Sequence, residues 1–86
     1  MDPHKITELR RAVRAHLADR PSVSQSPPTI HRFMQRETPA KLEDVETACT
    51  VLTAFGQVAE SSDPMGGALK YYRITAQGIL DHEAGR

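Results

Sequence analysis

Apolar residues in the first part of the chain recur at helical steps. Ile6, Leu9, Val13 and Leu17 follow one another at three- and four-residue intervals, with Lys5, Arg10, Arg11 and Arg14 between them. That alternation predicts a one-sided helix whose stripe faces a core while the cations are solvated. Asp2-Pro3 makes a good start for it, because Asp accepts orphan backbone N–H bonds and Pro is shaped for the first helical position. Asp19-Arg20-Pro21 closes it. The next stretch, PSVSQSPP at 21–28, is a punctuator too short to link domains, with room for a short strand at Val23. Ser26 and Pro27 then open a second helix of about ten residues carrying Ile30, Phe33 and Met34, on which Arg32 and Arg36 point the same way one turn apart.

Glu37-Thr38-Pro39 interrupts the pattern, since the residue before proline is pushed out of helical geometry. A third helix is expected over residues 39–55. Leu42, Val45, Cys49, Leu52 and Phe55 form its stripe, and Gly56 ends it in a left-handed conformation. Beyond Gly56 the period shortens. Val58 begins a strand, Asp63-Pro64 and Gly66-Gly67 form a loop, and 68–74 returns as the second strand of a hairpin. Thr75 caps a last short helix that folds Ile79 and Leu80 back onto the core, with 82–86 fraying. The predicted core joins both ends of the chain. It holds Ile6, Leu9, Val13, Leu17, Ile30, Phe33, Val45, Cys49, Leu52, Phe55, Ile74 and Leu80.

The fold class so predicted is mainly α with a small β-hairpin, in one domain spanning 1–86. Two phrases in it resemble a known superfamily. Val45, Cys49, Leu52, Gly56 and Val58 have the spacing with which a recognition helix ends and a wing begins. Tyr72-Arg73-Ile74-Thr75-Ala76-Gln77-Gly78 looks like the aromatic-x-aliphatic-Thr-x-x-Gly phrase that closes the wing. The chain from about residue 4 to 82 thus resembles the winged helix-turn-helix superfamily: three helices, a two-stranded wing and a short C-terminal helix. It is also similar to small winged-helix proteins of Mu-like transposable phages and prophages. The resemblance implies DNA binding and transcriptional regulation, with helix three in the major groove and the wing against backbone or minor groove.

Charge complicates that inheritance. The 86 residues have no formal net charge, but residues 1–41 hold eight Lys/Arg against four Asp/Glu, and residues 42–86 hold three against seven. On the resemblance, the base-reading positions are Lys41, Glu43, Asp44, Glu46 and Thr47. Three of these five are acids, which phosphate repels, although a carboxylate can also accept from cytosine or complement the helix dipole. The residues that would meet DNA are Arg10, Arg14, Arg32 and Arg36 on phosphates, Lys41 and Thr47 at the groove, and Lys70 and Arg73 beside the wing. Two functions follow. One is a small DNA-binding regulator on duplex DNA, possible as a homodimer; the other is a protein-interaction module whose acidic third helix meets a basic partner.

Other chemistry is thinly represented. His4, His16, His31 and His82 lack ligand spacing, so no metal or other cofactor is expected. Cys49 lies on a core stripe and reads as an inert thiol. Asp81-His82-Glu83 would point in different directions on a helix. Without a Gly-rich phosphate loop or paired carboxylates, the chain does not read as an enzyme, and no catalytic residue is assigned. No apolar run is long enough for a membrane span or signal peptide, which makes the cytoplasm the expected compartment.

Overall fold

The computed structural model describes residues 3–85. They form α1 (Pro3–Asp19), α2 (Pro27–Met34), α3 (Leu42–Ala54), β1 (Val58–Ser62), β2 (Lys70–Ile74) and α4 (Ala76–Glu83). The architecture is mainly helical, with a two-stranded antiparallel sheet at one side. In that sheet Val58 lies opposite Ile74 and Ser62 opposite Lys70. Asp2, the expected N-cap of α1, lies outside the described residues, as does Arg86.

Leu9, Val13 and Leu17 of α1 meet Ile30 and Met34 of α2 and Val45, Ala48, Cys49 and Leu52 of α3 in one core, which Val58, Tyr72 and Ile74 of the sheet close. Each large apolar side chain so buried contributes roughly 1.5–3 kcal/mol. Four residues expected in this core, Ile6, Phe33, Phe55 and Leu80, are exposed, as is Leu42 of the expected α3 stripe. Ile6 is on the right stripe but in the first turn, beyond the end of the core. Leu42 and Phe55 stand about 70° to either side of the α3 stripe at opposite ends of the helix, given 100° per residue.

The helix ends explain the chain's turns. α3 begins at Leu42, three residues later than Pro39 predicted, and Asp44 closes its first turn by accepting the Lys41 N–H at 3.4 Å. Its other end is a Schellman turn: Gly56 has φ 74°, its N–H donates to Thr53 O, and the Gln57 N–H reaches Leu52 O at 3.0 Å. α2 is shorter than expected and stops at Met34, so Arg36 lies in the turn after it and not one helical turn beyond Arg32. That turn is held by His31 Nε2 and Gln35 Nε2, which donate to Ala40 O at 2.9 and 3.1 Å. The strand expected at Val23 is displaced. Val23 is exposed in a turn, and Gln25 instead bridges Tyr72 through reciprocal backbone bonds of 2.9 Å.

Thr75-x-x-Gly78 is a joint between elements. Thr75 Oγ1 accepts from the Gly78 N–H at 3.0 Å, capping α4, and donates to Gly56 O at 2.6 Å, tying α4 to the end of α3. Gly78 faces the Gln57 carbonyl so closely that an added Cβ would lie 2.0 Å from that oxygen. This contact decides which side of α4 turns inward. Gly78 and Asp81 are buried and Leu80, on the opposite side, is 60% exposed.

Candidate functional site

The outer face of α3 presents Glu43, Glu46, Thr47 and Thr50 to solvent. Its threonine hydroxyls turn back on the helix: Thr47 donates to Glu43 O at 2.9 Å and Thr50 to Glu46 O at 3.0 Å. Neither hydroxyl proton is then directed outward, and the charge on the face is that of carboxylates. Lys41 is exposed where the helix begins.

Between this face and the hairpin runs a groove of about 310 Å³, whose walls include Pro27, Pro28, Leu42, Glu46, Leu69 and Tyr72. Leu42 and Leu69 are 37% and 46% exposed at its lips. Lys70 also lines it, but its Nζ lies 3.0 Å from Glu60 Oε1 across the hairpin. The hydrogen bond to Glu60 raises the Lys70 pKa, so the ammonium stays charged and engaged. At the floor, burial first and the Glu60 charge second raise the Tyr72 pKa, keeping its phenol neutral. Cys49 lies behind the groove with no exposed surface. Burial, helped by Glu46, pushes its thiol up to about 12, so it is protonated and unreactive at neutral pH.

The eight residues expected to contact DNA are dispersed. Arg14, expected to be solvated, is 5% exposed and donates from Nη1 to Gln57 Oε1 at 3.4 Å. Gln57 in turn donates to Asp81 Oδ2 at 2.8 Å, and Gln77 donates to Asp81 Oδ1 at 2.9 Å. Asp81, next to the tail expected to fray, is therefore an anchor among α1, the end of α3 and α4. Arg10 is half-buried, with its guanidinium carbon 5.8 Å from the centre of the Phe55 ring. Arg32, Arg36, Lys41 and Arg73 are exposed, with Arg32 over the Phe33 ring at 6.0 Å. Thr47 is exposed on the acidic face and Lys70 is paired.

Gln57, Asp81 and the groove lips were not found from the sequence. A polar residue directly after a helix-ending glycine was the one available signal for Gln57, because a Schellman turn carries that residue back over the core. Compared with family models, with curated proteins and with solved structures, the chain matches none of them. No helix of the described residues is long and apolar enough to cross a membrane.

Proposed function

We propose that this chain is a winged helix-turn-helix domain that uses the outer face of α3 and the adjoining groove to hold a basic, partly apolar segment of a protein partner. Element order supports the fold: three helices, a hairpin and a short last helix, with Gln25 bridging the hairpin as the remnant of a third strand. The observation that carries the function is the charge of α3. Where a DNA-reading winged helix offers cations and outward donors, this face offers Glu43 and Glu46, back-bonded hydroxyls and a lysine already held by Glu60. Carboxylates beside phosphates oppose the attraction that dominates DNA affinity. The same carboxylates attract lysine or arginine, and Pro27, Pro28, Leu42 and Leu69 offer apolar contact next to them.

Duplex DNA is the second reading, favoured by the exposure of Arg32, Arg36, Lys41 and Arg73. About four phosphate contacts would then give a slope of log affinity against log salt near −3 to −4. Fluorescence anisotropy separates the readings. A labelled peptide of alternating leucine and arginine is expected to bind at low salt and to lose affinity when Glu43→Gln and Glu46→Gln are combined. Binding of a short duplex with the stated slope, weakened by Arg32→Ala and Arg36→Ala while the peptide does not bind, would overturn the protein-docking reading in favour of DNA.

A further inference from the structure

A second cavity, of about 150 Å³, lies between α1 and the end of α3 and shares no lining residue with the groove above. Arg10, Arg11 and Arg14 line it together with Thr7, Phe55 and Gln57, and among the described residues no carboxylate does. Three arginines, two adjacent on one turn of α1 and the third a turn further on, line a space equal to roughly five water molecules at ~30 Å³ each. Two of them are held in place. Arg10 rests over Phe55 and reaches Thr7 Oγ1 at 3.5 Å, while Arg14 is bonded to Gln57. Arg11, which is exposed, stands at the mouth.

The geometry points to a binding site for a tetrahedral oxyanion, a free phosphate or a phosphate monoester whose remainder projects into solvent. A planar fork of N–H donors matches phosphate oxygens better than any other side chain does. Fixing the forks beforehand through an aromatic ring, a hydroxyl and an amide lowers the ordering cost of binding. The concentration of positive charge repels metal cations, and the small volume takes the oxyanion while leaving the rest of a larger ligand in solvent. The buried Asp81 carboxylate lies behind Gln57, bonded to Nε2 of that amide, so it offsets charge without occupying the cavity.

The test is a titration of the whole chain with inorganic phosphate at constant ionic strength, with chloride as the control, followed by NMR of the arginine Nε–Hε groups. Saturable shifts at Arg10 and Arg11 are expected, with Kd on the order of 1 mM. Arg10→Gln and Arg11→Gln should each weaken binding roughly tenfold, the usual size for a charge-assisted hydrogen bond. Arg36→Gln should leave it unchanged. Because Arg14→Ala endangers folding, Arg14→Lys is the better variant: it keeps the charge, removes the fork and should weaken binding in a folded protein. A short DNA duplex forms the second arm. If it moves the same two resonances and phosphate displaces it, the site is a contact for a nucleic-acid phosphodiester and the assignment to free phosphate or a monoester is overturned; if those resonances stay fixed, that assignment stands. A drift no larger than with chloride, or equal affinity in the Arg10 and Arg11 variants, would overturn the site.

Discussion

The inner flank of α1 and the outer face of α3 are both charged surfaces of amphipathic helices, yet the fold treats them oppositely. On α1, Arg14 is drawn under Gln57 and Arg10 is laid over Phe55, so these cations act as positioned parts of a packed joint. On α3, Glu43 and Glu46 stay in water. The difference comes from α4. Gly78 lets that helix approach the Gln57 backbone and close a roof over one flank of α1, whereas no element of the described residues covers α3 on its outer side. Similar charge patterns thus acquire different energetics, because burial makes a polar contact costly to lose and exposure leaves charges screened.

The sharpest way to break this comparison is to lift the roof. Gly78→Ala places a methyl 2.0 Å from the Gln57 carbonyl, so α4 must shift and the network around Asp81 with it. A loss of about 3 kcal/mol is expected, at the upper end for an overpacked site, measured by chemical denaturation. An unchanged midpoint would mean that α4 does not hold the joint. Arg14→Ala should cost ~1–3 kcal/mol by leaving buried hydrogen-bonding groups unmatched, against no more than about 0.5 kcal/mol for the exposed Arg36→Ala. Equal effects would erase the distinction between the two classes of arginine.

Alkaline pH tests the core beneath the acidic face. The Cys49 thiol has a folded pKa of about 12 against an ordinary 9.0, so the folded state holds that proton more tightly than the unfolded chain. Stability should therefore be unaffected by this group below pH 9 and fall between pH 9 and 12, by up to about 1.4 kcal/mol per pH unit. Tyr72, also raised, acts in the same direction. A Cys49→Ala variant that keeps the full slope would remove the thiol from the explanation. Gly56→Val should cost ~1 kcal/mol or more through its positive φ. The smallest effect belongs to the exposed hairpin: Lys70→Ala should leave the denaturation midpoint unchanged, since an exposed ion pair is largely offset by solvation and salt.

Much of this architecture could be read from sequence alone because it depends on local physics. The order of helices and strands, the turn at Gly56 with its positive φ, the Thr75 cap and the buried stripe of Leu9, Val13, Leu17, Val45, Cys49 and Leu52 all follow from periodicity, capping and glycine's tolerance of left-handed backbone. The acidity of α3 was equally plain. Tertiary structure decided which members of each stripe lie under another element. Ile6, Leu42 and Phe55 lie near their stripes but at helix ends that the core does not reach, and Phe33 turns aside to stack on His16 at 5.6 Å. It also decided the fate of the arginines. Periodicity sets Arg14 nearer the α1 stripe than Arg11 but does not bury it, because burial of a side chain depends on what packs against it. Here the covering residues are Gln57, 43 positions away, and α4, whose approach requires Gly78.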